Sequence, residues 1–124
     1  MTQIRTYRDL IVWQKAMALV LETYRLSKRF PKNETYGLAA QMRRCAVSIP
    51  SNIAEGYGRN STSDYVRFLR IATGSLYELQ TQMEISSKLE YLKRADFDRL
   101  YESSREIERM LSSLSRKLNN GETK

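Results

Sequence analysis

The sequence predicts an all-α fold, an antiparallel up-down-up-down bundle of four helices that forms a single domain over residues 1–124. Apolar residues recur at intervals of three and four along nearly the whole chain, which is the spacing of one helix face, and no useful length shows the two-residue alternation of a strand. Only two prolines and five glycines interrupt the 124 residues. The helices, joined by short connections, are predicted at about residues 8–29, 33–58, 61–89 and 94–118.

Two apolar stripes define the first helix and predict a wide buried face. Phe30 and Pro31 end it, because the residue before a proline is driven out of the helical region. The stripes consist of Leu10, Trp13, Met17, Val20 and Tyr24, and of Val12, Ala16, Leu19 and Leu26.

The second helix contains a proline. Pro50 removes the N–H that would bond the Ala46 carbonyl, at a cost of about 3 kcal/mol in an isolated helix, so we expect a kink near residues 46–50. Gly56 and Gly58 mark its end. Its apolar side consists of Leu38, Met42, Cys45, Ala46, Ile49 and Ile53.

A polar stripe on the same helix is of an unusual kind. Short Ser and Asn side chains compete with the backbone for hydrogen bonds, so they predict an ordered, partly buried network, with Ser48 or Asn52 a partner for the carbonyl that Pro50 frees. The network either fixes geometry inside the bundle or at a subunit contact, or it lines a groove for a ligand or a phosphate backbone. The stripe consists of Arg44, Ser48, Asn52, Glu55 and Arg59.

The third helix begins with a capping signal. The Ser61 hydroxyl can accept a hydrogen bond from a free backbone N–H, and the Asp64 carboxylate favours the helix N-terminus. The fourth helix has the most regular pattern, which steps by three and four through Phe97, Leu100, Ser104, Ile107, Leu111, Leu114 and Leu118.

Three segments resemble a known family. They read "DLIVWQKAM", "YGLAAQMRRCAVSIPSNIAEGYGR" and "DYVRFLRIATGSLYELQTQMEI". They are similar to the small proteins encoded in intervening sequences of bacterial 23S ribosomal RNA genes. The matching motif positions are Arg43, Arg44, Ser48, Pro50, Asn52, Glu55, Gly56 and Arg59, followed by Tyr65, Phe68 and Leu69.

The resemblance implies a four-helix bundle that assembles into a homopentameric ring. The accessory variability proteins of diversity-generating retroelements, which work with a reverse transcriptase and nucleic acid, look like relatives. The chain departs from the family pattern at Cys45, where alanine is more usual, and at Glu90, where glycine often precedes the Tyr-Leu pair.

The net charge of +7 favours an anionic partner such as nucleic acid. Arg105 and Arg109 have glutamates at pairing distance along the fourth helix, whereas Arg67 and Arg70 have only Asp64 near them. The candidate phosphate contacts are Lys28, Lys32, Arg43, Arg59, Arg67 and Arg70.

Catalysis is not expected. The chain has no histidine, so the commonest general base and metal ligand is missing, and Cys45 lies on an apolar stripe, where a thiol is inert. No catalytic residue, metal ligand or cofactor is predicted. The single cysteine, the lack of a signal-like N-terminus and the lack of a long apolar run favour the cytoplasm and no membrane contact.

The sequence and the resemblance together favour a non-catalytic homo-oligomer that binds nucleic acid, with structured or ribosomal RNA preferred to DNA. The alternative is a protein-interaction scaffold, in which the ring docks a protein such as a reverse transcriptase. RNA binding requires basic residues that converge on one surface, whereas a scaffold requires an exposed apolar patch after the ring has closed.

Overall fold

The computed structural model of the protein describes residues 3–121, and its order of elements confirms the all-α prediction. Two short 3-10 turns, Tyr7–Asp9 and Lys32–Glu34, precede the first and second helices, and residues 3–121 contain no strand. The four helices are α1 (Ile11–Ser27), α2 (Leu38–Tyr57), α3 (Thr62–Lys88) and α4 (Arg94–Asn119).

The predicted starts of the first two helices, at residues 8 and 33, were too early. Thr6 and Asp9 form a reciprocal capping box around the first 3-10 turn, and Leu10 then takes an extended conformation, so α1 begins only at Ile11. Residues 32–34 form a separate 3-10 turn, and α2 begins after Gly37, whose backbone is not helical. The chain therefore reaches α1 and α2 through a 3-10 turn rather than directly.

The ends of α3 are set by two different local signals. The Ser61 hydroxyl accepts a hydrogen bond from the Asp64 N–H at 3.1 Å, as the sequence predicts. After α3, Glu90 has a φ of 65°, the left-handed conformation that glycine adopts most easily, and the Tyr91 N–H returns to the Ser86 carbonyl at 2.8 Å. The position that is often glycine in the family is therefore a turn of the glycine type, occupied here by glutamate.

The core uses all of one apolar stripe predicted on the first helix and only part of the other, from which Leu10 is buried while Trp13 and Val20 pack against the core edge. Ala16, Leu19 and Leu26 are buried, but Met17 and Tyr24 of the other stripe are 37% and 39% exposed. The prediction that the whole stripe is buried was wrong, because α1 packs against α2 and α4 over a narrower face. From α3 and α4 the core receives mainly Tyr65, Leu69, Leu76, Leu79, Met83, Leu100, Ile107 and Leu111.

Consecutive helices lie side by side, and α4 returns to α1. On α2 and α3 the pairs run in opposite order, with Met42 against Ser86 at 3.3 Å and the hydroxyls of Ser48 and Ser75 sharing a hydrogen bond at 2.8 Å. Between residues 3 and 121, no Cα atom of α1 lies within 8 Å of a Cα atom of α3. These two helices therefore lie on a diagonal. None of the described helices combines the length and apolarity that crossing a membrane requires.

Ion pairs connect α1 to α4 along their exposed edge. Lys15 pairs with Glu106 at 3.3 Å, and Arg99 pairs with Glu22 at 2.8 Å. Arg25 also bonds Glu22 from the next turn of α1. The hydrogen bonds from Arg25, and then from Arg99, hold the pKa of Glu22 at about 2 instead of the usual 4.5. Glu22 is the central acidic group of this edge.

Glu22→Gln is expected to lower the free energy of unfolding by about 1 kcal/mol at neutral pH, after allowance for solvent screening of its half-exposed arginine partners. Since folding depresses this pKa, the contribution is present above pH 4.5 and is lost as the pH falls toward 2. Urea unfolding at several pH values measures it. Glu102→Gln, on a pair that is far more exposed, is the control. A cost that is the same at pH 2 and pH 7 would contradict the assignment.

Candidate nucleic-acid interface

Two of the predicted phosphate contacts meet where α2 ends and α3 begins. The guanidinium groups of Arg59 and Arg67 lie 4.7 Å and 4.6 Å from the ring centre of Phe68, close enough for cation–π attraction. Arg59 pairs with Glu55 at 3.2 Å, and Arg67 pairs with Asp64 at 3.6 Å. The structure therefore joins these cations across two helices, but each already has a carboxylate partner.

Arg70 is differently placed, because it opens into a groove of about 690 Å³ between α3 and α4. Arg109 and Arg116 line the same groove from α4, and within residues 3–121 neither Arg70 nor Arg116 makes an ion pair. Arg109 has only a long, exposed contact with Glu102 at 3.4 Å. The groove therefore has more unneutralised positive charge than the Arg59 and Arg67 pair.

Among the described residues that line this groove, Glu108 has the one carboxylate, and it is already engaged. Glu108 accepts hydrogen bonds from the Tyr77 hydroxyl at 3.3 Å and the Gln80 amide at 3.2 Å, and it pairs with Arg105 at 3.6 Å. The proximity of Glu108 is the main cause that raises the pKa of Tyr77, so its phenol remains a hydrogen-bond donor. Glu108 therefore fixes Tyr77 across the groove.

The remaining three candidates lie elsewhere. The Nε of Arg43 donates to the Ser27 hydroxyl at 2.8 Å, and its guanidinium lies 4.9 Å from the Tyr24 ring centre, so it ties α1 to α2. Lys28 and Lys32 are exposed where α1 ends, next to the start of α4. The groove residue Arg116, in contrast, is near the other end of α4, about 30 Å along that helix from the end where Lys28 and Lys32 lie. The six predicted cations therefore do not form one surface.

The polar stripe of α2 is largely an internal contact of the bundle. Asn52 donates its amide to the Ser48 carbonyl at 2.8 Å, instead of to the Ala46 carbonyl as proposed from the sequence, and to the Ser48 hydroxyl at 2.9 Å. Ser48 in turn bonds Ser75 of α3. Of the remaining members, Arg44 is exposed, and Glu55 pairs with Arg59 on the same helix.

Gly56 and Cys45 are also part of the packing between α2 and α3. A methyl group on Gly56 would lie 2.7 Å from the Cβ of Phe68, so the glycine permits a close approach of the two helices. Burial is the main cause that raises the pKa of the Cys45 thiol to about 11, and the Glu78 carboxylate adds to it. That thiol is protonated at neutral pH. Over the described residues, no three His, Cys, Asp or Glu side chains form a metal-binding group.

Exposed apolar side chains occur on α1 and α2 and also along α3. The first surface, which we call the α1–α2 patch, is a groove of about 320 Å³ lined mainly by Trp13, Met17, Val20, Val47, Pro50 and Ala54. The second, the α3 row, consists of three exposed apolar side chains at helical spacing along α3 and its C-cap, Ile71, Ile85 and Leu89, which are 42% to 49% exposed. The first surface is built from α1 and α2, and the second from α3 and its C-cap.

Sequence reasoning missed Arg109 and Arg116 as members of the groove, because both are on a helix rich in compensating glutamates. The pairs predicted for Arg105 and Arg109 are present, yet the latter arginine still faces the groove. A different signal was available in Gly74, a helix-interior glycine around which nothing lies within 4 Å of the position of a Cβ. The fold of this chain does not require a glycine there.

Comparison with known proteins gives two findings. The family model described as 23S rRNA-intervening sequence protein matches residues 8–113. The structure is similar, with a TM-score of 0.80 and 24% sequence identity, to the crystal structure of a protein of unknown function from the S23 ribosomal protein family of Bacteroides thetaiotaomicron VPI-5482. That alignment covers 85% of this chain and 98% of the other. Among curated proteins there is no significant match.

Proposed function

This chain belongs to the 23S rRNA-intervening sequence protein family, and from that premise we propose that it is a non-catalytic, homo-oligomeric protein of the cytoplasm that binds structured RNA through a basic surface. Ribosomal RNA is the first RNA to test. The opposite order of contacts on neighbouring helices supports an antiparallel up-down-up-down bundle as its subunit.

One observation carries the RNA proposal, namely the groove between α3 and α4. Arg70 and Arg116 line it without a carboxylate partner in the described part of the chain, and Glu108, the acidic member, is shared with Arg105. Arginines in such a groove neutralise phosphates and release counterions, which gives affinity with little dependence on sequence. The net charge of +7 adds long-range attraction of the same sign.

The two apolar surfaces support self-association into a ring. A cyclic ring uses two different patches on each subunit, whereas a twofold dimer uses one patch twice. The α1–α2 patch and the α3 row supply two different sets of exposed apolar side chains for such contacts. We propose five subunits from the family resemblance. Repetition of the basic groove around a ring would raise the affinity for one long polyanion through avidity.

A second candidate function is a scaffold that docks a protein. The α1–α2 patch favours it, since it exposes tryptophan, methionine and valine side chains that suit a hydrophobic partner. A reverse transcriptase is the partner to test, given the sequence resemblance to accessory proteins of retroelements. In this alternative the patch stays open after assembly, and the positive charge is secondary.

Binding of a labelled RNA hairpin, followed by fluorescence anisotropy at about 50 mM and about 200 mM salt, tests the RNA proposal. We expect binding that weakens steeply with salt and a marked loss in the double variant Arg67→Ala with Arg70→Ala. Its matched control is Lys88→Ala with Arg94→Ala, which removes the same charge from exposed positions where α3 ends and α4 begins. Absence of binding at the lower salt concentration would refute the proposal and favour the scaffold.

A further inference from the structure

Gly74 is the starting point, because the fold gives no reason for it. It lies in the interior of α3, where glycine is a poor helix former, and a Cβ there would meet nothing within 4 Å. Gly56, in contrast, is required by its contact with Phe68. A glycine that the chain itself does not need, on an exposed surface, is typical of a place where a ligand approaches the backbone closely.

The surroundings of Gly74 identify the chemistry of that ligand. Arg70 is one turn before it on α3, and Arg109 and Arg116 lie across the groove, two turns or about 10 Å apart on α4. Thr73 and Ser112 add hydroxyl groups to the lining. Three guanidinium groups and two hydroxyls beside a bare backbone suit consecutive phosphates of an extended strand better than one isolated anion.

Tyr77 distinguishes an unpaired strand from a duplex. Its side chain is 50% exposed, and its hydroxyl is held by Glu108, so the ring stays at the groove. A base can stack on such a ring only when it is not enclosed between the neighbouring base pairs of a helix. The groove therefore offers phosphate contacts on both walls and one stacking surface between them.

We propose that the α3–α4 groove binds an unpaired stretch of RNA, with Arg70, Arg109 and Arg116 on its phosphates, Gly74 at the closest approach and Tyr77 stacked on a base. The inference rests on the proposed function and adds to it the form of RNA and the place where it binds. Loops and single-stranded ends of a structured RNA are its ligands.

The test compares a labelled oligouridine of about 20 nucleotides with a duplex RNA of the same length. Gly74→Leu is expected to weaken binding of the single strand tenfold or more, while the melting temperature stays equal or rises, because leucine is the better helix former. The control is Ala18→Leu, which adds similar bulk to the groove between α1 and α4. It should leave the affinity unchanged.

A triple variant examines the phosphate contacts. Changing Arg70, Arg109 and Arg116 to glutamine should reduce the slope of log affinity against log salt by about 2. Each phosphate contact with a single strand contributes about 0.7 to that slope, and three contacts are lost. The charge-matched control changes Lys28, Lys32 and Arg94 to glutamine. These residues are exposed near the junctions of α1 with α2 and of α3 with α4, and the salt slope should equal that of the unchanged protein. Tyr77→Ala should weaken binding of the single strand about tenfold.

The outcomes separate the two proposals. Binding of the duplex but not of the single strand, or equal losses in groove and control variants, would overturn the groove assignment and leave RNA binding intact. Failure to bind a hairpin, a single strand or a duplex would overturn both proposals. Selective loss of single-strand binding in the groove variants, with unchanged melting temperatures, is the result we expect.

Discussion

Replacing Gly56 by alanine is expected to lower the free energy of unfolding by about 2 kcal/mol and the melting temperature by roughly 8 °C. A methyl group there would lie 2.7 Å from the Cβ of Phe68 and 3.2 Å from the Tyr65 carbonyl oxygen. Neither atom is the end of a flexible side chain, so α2 and α3 must separate to admit it. Thermal unfolding followed by circular dichroism measures the loss.

The same substitution at Gly74 provides the matched control. Both glycines are in long helices, but Gly74 is in the interior of α3 whereas Gly56 is the next-to-last residue of α2, so the gain in helix propensity on conversion to alanine, about 1 kcal/mol in a helix interior, applies in full only at Gly74. At Gly74 no neighbour opposes the gain, and Gly74→Ala is expected to stabilise the protein. Stabilisation of similar size at both positions would contradict the conclusion that α2 and α3 approach each other closely at Gly56.

The substitutions Met17→Glu and Ile85→Glu are each expected to convert the proposed ring into a folded monomer. Each places a carboxylate within one of the two apolar surfaces, the α1–α2 patch or the α3 row. Removing such a charge from water without a partner costs several kcal/mol, which is more than a weak subunit contact supplies. Light scattering gives the mass, and circular dichroism reports whether the helices persist.

A mixture of the two variants gives the decisive result. In a ring, the intact α3 row of Met17→Glu can still meet the intact α1–α2 patch of Ile85→Glu, so the mixture should form a dimer that cannot grow. Tyr36→Glu, at a side chain that is 95% exposed in the turn before α2, is the control and should leave the assembly unchanged. If two subunits instead met through a twofold contact, which uses one patch twice, only one of the two substitutions would abolish assembly.

The helices could be predicted because their signals are local. Ser61 caps α3 through a bond to a residue three positions away, and the apolar spacing of α4 needs no knowledge of its neighbours. The 3-10 turn at Lys32–Glu34 was missed because a short polar turn and the first turn of a helix contain the same residue types. Likewise, Met17 lies at helical spacing, but only the direction of α2 and α4 decides whether it is buried.

The candidate site could be predicted only in part, because it depends on which helices meet. Arg67 and Arg70 are three positions apart, yet the first is paired with Asp64 and the second opens into the groove with Arg116. That arginine is 46 positions further along the chain, and no sequence spacing connects them. The unexplained Gly74 was the one local signal of the groove.

The neighbour relations of the helices also bear on how the chain acquires its structure. Since α1 packs on α2, α2 on α3 and α3 on α4, most contacts join segments that are adjacent in sequence, and such a topology folds in microseconds to milliseconds. Each helical hairpin can form as soon as its second helix has left the ribosome. Of the helix pairings between residues 3 and 121, that of α1 with α4, through Glu22 and Arg99, joins the two ends of the bundle, and its first partner must wait until the last helix has been synthesised.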